Sequence, residues 1–347
     1  MRVIQFWYIL LAIFVFGLLI FIHELGHFLC ARLCGVGVHE FAIGMGPKIV
    51  SWTSKKTGTR YAVRALPVGG YVSMVGEDEE SEREDAFGNR SVWKRILIVI
   101  AGPIMNLVLG FLATVVLVTS AGKLYGTQVD YRDLENIQLS ESSGLEQGDT
   151  VLKIGKVAVH TRNELVYEIM RQGAEAVNVT VLRDGKKLVV ENVLFPTVEE
   201  SGVLFGGIDF YANQERFTFG NVIKHTFFRS LSTVKMIVDS FVDLLSGKYG
   251  MEAMSGPVGI TQTMGEAAAG GFSSFLYIFV VITVNLGVFN LFPIPALDGG
   301  RLLFLLIEAV IRRPINKTVE GYIHLVGLLL MLGLIIVVTF HDILRLF

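Results

Sequence analysis

The chain has 347 residues, 52% of them hydrophobic and only 18% charged, with a formal net charge of −2 and a mean hydropathy of +0.56. A water-soluble domain is nearer a quarter charged, so the composition points to a membrane protein. The near-neutral balance excludes a strongly basic nucleic-acid binder, and Cys30 and Cys34 alone make neither a disulfide framework nor a complete zinc site, so they read as apolar helix residues.

The first element is an apolar run from Val3 to Ile22 that continues into "FIHELGHFLC", residues 21–30. It is longer than the apolar core of a signal peptide and no small-x-small cleavage site follows, so it reads as a retained transmembrane helix within residues 1–35. Residues 36–91 read as a β-hairpin and loop. "SKKTG" is a polar turn between "KIVSW" and "TRYAVRAL", and Pro67, Gly69 and Gly70 break or bulge the second strand as at a sheet edge. The hairpin is either an ordinary juxtamembrane element or an edge kept open for an extended peptide.

A second span, with its apolar part at Ile96–Ser120, occupies residues 92–122. Residues 123–200 alternate short strands and turns: "GDTVLKIGKVAV" turns at Gly155, "TRNELVYEIMRQG" is a Thr-capped helix ending in Gly, and "AVNVTVLRDGKKLVVENV" is a hairpin with Asp-Gly at its turn. Residues 201–270 read as a linker plus an interfacial amphipathic helix near 218–247. A third span, Phe275–Leu297, lies in residues 271–314, and a fourth, Tyr322–Phe340, in residues 315–347. Arg and Lys are dense between the first and second spans (Arg32 to Arg95) and after the third (Arg301, Arg312, Arg313, Lys317). The acidic run "EDEESERED", 77–85, weighs less in this rule, so both loops are expected to be cytoplasmic and the middle domain outside. The predicted fold is a polytopic α-helical membrane protein of about four transmembrane helices, with a membrane-associated β-hairpin and one small extracytoplasmic α+β domain.

His23-Glu24-Leu25-Gly26-His27 matches H-E-x-x-H. Residues four apart share a helix face, so both imidazoles can reach one metal ion, and neutral imidazoles suit Zn²⁺. Glu24 is then placed to take a proton from an attacking water. Ionisable groups inside a span are costly and mark function. Two histidines leave a tetrahedral catalytic zinc one protein ligand short. Asp298, in "VNLGVFNLFPIPALDGGRLLF" at 284–304, is the candidate, on a helix broken by Pro293 and Pro295 with Gly299 and Gly300 permitting a tight turn. Read alone, Asp298 also fits an N-cap for the helix that follows, as the lesser of the two readings. Asn106 in "AGPIMNL" is expected to face the bundle, in helix–helix hydrogen bonding or in catalysis. His324 and Glu308 read as structural or solvated, and "SGPVGI", 255–260, as a loop or re-entrant turn.

Taken together, "HELGH", "PVGGYVSM", "AGPIMN" and "NLFPIPALDGG" resemble the site-two protease family of intramembrane zinc metalloproteases, and most of all the bacterial regulator-of-sigma-factor proteases. "GLEQGDTVLKIGKVAV" is similar to a PDZ domain, although the chain has room for one where relatives often carry two. No Gly-Leu-Gly-Phe-type loop precedes Gly144, so a gating or size-filter role fits this domain as well as capture of a free C-terminus. The resemblance implies Zn²⁺ on His23, His27 and Asp298, Glu24 as catalytic base, and Asn290 near the reaction centre. It also implies a substrate strand held along Gly69, Gly70, Tyr71, Val72, Ser73 and Met74. The implied substrate is a transmembrane protein such as an anti-sigma factor after a first cut, and the implied location is the bacterial cytoplasmic membrane, multi-pass, with the lipid bilayer as partner and no nucleic acid. A metal-ion transporter or a membrane scaffold presenting a PDZ module are the competing expectations.

Overall fold

A helix crossing lipid must turn its polar and small residues toward protein. In the computed structural model α1, Phe6–Leu33, does so: Tyr8, Ala12, Val15, Leu19, His23, Gly26, His27 and Ala31 form one buried stripe at three- and four-residue spacing. The histidines thus continue a protein-facing seam. The structure describes residues 6–77, 81–132, 138–200, 203–248 and 254–345. The start of the first apolar run and part of the acidic run at 77–85 lie outside them. The chain forms two compact units, Met1–Ala113 with Met254–Phe347, and Thr114–Ala253.

In the first unit, α1 leads into β1, Val38–Thr53, and β2, Arg60–Met74. Each strand is long enough to be used twice. Lys48–Thr53 pairs with Arg60–Arg64 as the hairpin proper, while Val38–Ile43 is flanked by Arg60–Val63 on one side and Gly70–Met74 on the other. The bends fall where glycine takes positive φ, at Gly44 (83°), Gly46 (81°) and Gly69 (86°). Gly70–Met74 therefore pairs on one side only among the described residues. α2, Val92–Ser120, follows with Pro103 inside it.

The second unit holds β3 (Leu124–Asp130), α3 (Leu139–Ser142), β4 (Thr150–Ile154), β5 (Val157–Ala158), α4 (Arg162–Gln172), β6 (Val177–Arg183), β7 (Lys186–Val193), β8 (Thr197–Glu200), β9 (Val203–Gly206), β10 (Tyr211–Glu215) and α5 (Phe219–Leu245). The main sheet runs β10-β3-β4-β6-β7, with β5 beside β4. Leu165 and Ile169 of α4 bury onto Val129, Val151, Ile154, Val179 and Val181. The Glu164 carboxylate accepts from the Thr161 N–H at 3.0 Å, closing a capping box. Asp184 and Gly185 both take positive φ at the β6–β7 turn.

The sequence reading needs correction past residue 200. The segment 201–270 is not a linker with one helix. β10 within it joins the main sheet against β3, and β9 pairs with β8. "SGPVGI" opens another helix with Pro257 in its first turn. α5 turns Lys235, Asp239 and Asp243 to α4, where Arg171 reaches Asp243 at 2.7 Å and Lys235 reaches Glu168 at 2.8 Å. Its Phe219, Ile223, Phe227 and Leu231 form an exposed apolar stripe.

The chain then completes the first unit with α6 (Pro257–Ala269), α7 (Phe272–Leu291), α8 (Asp298–Ile311) and α9 (Lys317–Leu344). Met264 of α6 is fully buried with Ala12, Val15 and Leu19 of α1, and Asp342 of α9 accepts from the Gly259 N–H at 2.8 Å at the start of α6. α1, α2, α7 and α9 are long and apolar enough to cross a membrane. The third span ends at Leu291 rather than Leu297, because Pro293 and Pro295 cannot continue it.

Candidate metal centre

The close approach of α1 and α2 is made by two glycines. A Cβ on Gly26 would strike the Ala101 carbonyl and lie 2.7 Å from Met105 Cγ, and one on Gly102 would enter the His27 ring. That approach seats both imidazoles in protein: His23 and His27 are each only 8% exposed. Asp298 arrives as the first residue of α8, where the helix dipole favours a carboxylate. Gly299 and Gly300 let the preceding loop fold back, since a Cβ on Gly300 would lie 2.6 Å from the Ile294 carbonyl oxygen. The structure thus brings His23, His27 and Asp298 into one cluster from two ends of the sequence.

The Asp298 Oδ2 atom lies 2.9 Å from His23 Nε2 and 3.3 Å from His27 Nε2, and the two Nε2 atoms are 3.2 Å apart. Yet Oδ2 is buried with no hydrogen bond of acceptable direction. Three lone pairs converging without a proton between them suit a cation. With zinc–nitrogen and zinc–oxygen bonds of about 2.0–2.1 Å, the edge of a ligand tetrahedron is ~3.4 Å, close to the three separations seen. The donor set fits Zn²⁺.

Both imidazoles are oriented from behind. His27 Nδ1 donates to the Ile98 carbonyl at 2.8 Å, leaving its Nε2 lone pair toward the cluster. His23 Nδ1 lies 3.2 Å from Asn106 Nδ2, while Asn106 Oδ1 is buried without a partner. Exchanging the amide's O and N lets His23 Nδ1 donate to Oδ1 and frees Nε2 in the same way. Asn106, expected to face the bundle in helix–helix hydrogen bonding or in catalysis, is buried there against His23.

Glu24 stands beside this cluster, near His27 and Asp298 and against the Val72 backbone N–H. A Cβ on Gly70 would lie 3.4 Å from Glu24 Cγ and 3.8 Å from Ile20 Cγ2, so Glu24 occupies the space between the His23–His27–Asp298 cluster and the one-sided strand. Gly70, Tyr71, Val72, Ser73 and Met74 make up that strand, Gly69 is the bend before it, and Tyr71 is tied down by its hydroxyl donating to Glu40 at 2.8 Å. Asn290 is different. Its Nδ2 donates to the Leu286 carbonyl at 3.0 Å within α7, and no hydrogen bond joins it to the three clustered side chains among the described contacts. Glu308, expected to be structural or solvated, pairs with both terminal guanidinium nitrogens of Arg95, one at 3.0 Å. Arg301 pairs with Glu77. These two pairs hold α8 to α2 and to the end of the one-sided strand.

The profile of peptidase family M50 matches residues 11–334. A Clostridium acetobutylicum protein bearing a zinc metalloprotease name is 34% identical over 339 residues, covering 98% of each chain. The regulator of sigma-W protease RasP of Bacillus subtilis is 30% identical over 419 aligned positions, covering 96% of this chain and 98% of its own. The zinc metalloprotease RasP of Oceanobacillus iheyensis is 31% identical over 423 positions, at the same coverage. Those two alignments exceed the 347 residues present here, so both relatives carry additional segments. A match of this extent, over a cluster whose donors suit zinc, sets aside the transporter and scaffold expectations: the chain belongs to the M50 peptidases, the site-two protease family, and is a zinc metalloprotease.

Proposed function

We propose that this protease cuts a peptide bond in or beside a substrate's transmembrane segment, with zinc held by His23, His27 and Asp298 and Glu24 as the catalytic base. The observation that carries the reading is the position of Glu24 between the three ligand side chains and the one-sided strand Gly70–Met74. When bound, zinc supplies Lewis acidity, which polarises the scissile carbonyl and acidifies water. Glu24 takes the proton of the attacking water and returns it to the leaving amine. A substrate helix hides its carbonyls in i to i−4 bonds and must unwind before attack. The edge of Gly70–Met74, to which no second strand pairs among the described residues, offers backbone partners for the unwound segment once Glu24 gives up the Val72 N–H, and lays it beside Glu24. Asn290 enters this scheme only by turning its amide away from Leu286.

The Arg and Lys in both loops support a cytoplasmic side for the metal cluster and an extracytoplasmic second unit, read as a PDZ domain, in a bacterial cytoplasmic membrane. The apolar stripe of α5 then rests on lipid. The Bacillus subtilis relative is named for sigma-W regulation, which makes a membrane-bound anti-sigma factor, already shortened by a first cut, the proposed substrate class. The test is a cleavage assay in reconstituted membranes with such a substrate. Glu24→Gln should lose at least a thousandfold in rate while binding zinc as the wild type does. Retained cleavage would remove Glu24 from the chemistry.

A further inference from the structure

His324 on α9 lies outside the metal cluster, but its Nδ1 accepts a hydrogen bond from the Ala296 N–H at 3.0 Å. Ala296 stands two residues before Asp298 and holds a φ of 77°, a region that a residue with a side chain seldom occupies. A second contact comes from the same face of α9, three residues on. A Cβ on Gly327 would lie 2.8 Å from the carbonyl carbon and oxygen of Pro295. Within the loop, the Leu297 N–H donates to the Ile294 carbonyl at 3.2 Å and the Gly300 N–H to the Leu297 carbonyl at 3.0 Å. The turn before Asp298 is thus closed on one side by its own helix and on the other by α9.

We infer that His324 is a positioning residue, whose hydrogen bond to Ala296 holds the strained turn that aims Asp298 at His23 and His27. The inference rests on Asp298 as a zinc ligand. At the first position of a helix a carboxylate is placed by the backbone before it as much as by its own rotamer. Without an acceptor for its N–H, Ala296 relaxes toward negative φ and rotates the peptide that leads to Asp298. The role requires a neutral imidazole protonated at Nε2, the edge that lies 3.9 Å from Glu320 Oε1. His324 also lines a cavity of about 800 Å³ together with Arg301 and Glu320.

The test uses the purified full chain, with zinc affinity measured by competition with a chromophoric chelator and ligand geometry by the visible bands of the Co(II)-substituted protein. His324→Leu is expected to weaken zinc binding about tenfold or more, the scale of lost ligand-supporting contacts, and to shift the Co(II) bands. His324→Asn, whose Oδ1 takes the place of Nδ1 as acceptor, restores both. Gly327→Ala, which presses on Pro295 from the neighbouring position, shifts the bands as well. Wild-type affinity and bands in His324→Leu overturn the inference, as does a His324→Asn variant no better than His324→Leu at equal helix content, or unchanged bands in Gly327→Ala. Asp298→Ala separates the underlying reading: wild-type zinc affinity in that variant removes the ligand assignment itself and the inference with it.

Discussion

Gly102 on α2 lies directly against the imidazole of His27: a Cβ there would come within 2.7 Å of ring Cε1 and 2.8 Å of Cδ2. The ring has no free side to retreat to, because its Nδ1 is tied to the Ile98 carbonyl one turn earlier on the same helix. Gly102→Ala must therefore either tilt His27 out of the cluster or spread α1 from α2. Overpacking of this kind costs about 1–3 kcal/mol, and the ligand geometry takes part of the strain. Zinc content after purification should fall well below one per chain, with cleavage falling in step. Full zinc occupancy in a folded Gly102→Ala protein would show that His27 has room to move.

Asn106 is fully buried and touches His23 rather than lipid or a helix backbone. Removing its amide frees His23 to rotate and to take the wrong tautomer. Asn106→Leu should lower zinc affinity by about 10- to 100-fold without changing helix content, and Asn106→Asp, which keeps an oxygen acceptor toward Nδ1, should recover much of the loss. Equal affinity in all three proteins would reduce Asn106 to packing. Nuclear magnetic resonance of the His23 ring nitrogens checks the tautomer directly.

What could be read in advance follows from the range of each signal. H-E-x-x-H and the broken helix before Asp298 are local patterns, written in helix spacing and in Pro and Gly positions. The hairpin also announces itself locally, through the "SKKTG" turn. The partners of those elements are not local. Nothing near Asn106 names His23, 83 positions away, and nothing in 201–215 says that Tyr211–Glu215 pairs with Leu124–Asp130. The double use of β1 depends on three positive-φ glycines acting together, whereas each glycine read singly suggests only a turn. Burial decides the rest. His324 looks like a boundary residue until Ala296 and Pro295 are folded against α9.

Glu40 ties the one-sided strand to the rest of the hairpin. Burial disfavours its charge, but hydrogen bonds from Tyr71, Arg64 and Lys48 outweigh that and hold its carboxyl at about 2, below its ordinary 4.5. A depressed carboxylate contributes stability that is complete above the unfolded value and is lost as the pH falls through the folded one. The hairpin should therefore loosen between about pH 4.5 and 2. Trp52, stacked on Tyr61 at 5.5 Å, reports this once Trp7 and Trp93 are replaced by Phe. The acid-induced change in its fluorescence should be steeper in the wild-type hairpin than in Glu40→Gln, which has no charge to lose. Superimposable titrations would mean that Glu40 does not hold the strand.

Gly70 is the point where the one-sided strand meets Glu24, the proposed base. Its missing side chain leaves 3.4 Å to Glu24 Cγ, but a Cβ would also come within 2.9 Å of the Ala42 carbonyl oxygen on the neighbouring strand. Gly70→Ala therefore pushes the strand off β1 toward Glu24, or pushes Glu24 toward the metal ligands. Either movement misplaces the base relative to a substrate laid along the edge, and small misplacements of a reacting group are expensive in rate. The proposed zinc ligands His23, His27 and Asp298 are not substituted, so zinc content should stay at the wild-type level while kcat for a membrane substrate drops about tenfold or more. KM should change less, because the edge's backbone groups remain. The opposite pattern, an unchanged kcat with a raised KM, would place Gly70 in substrate capture alone and separate the strand from the base.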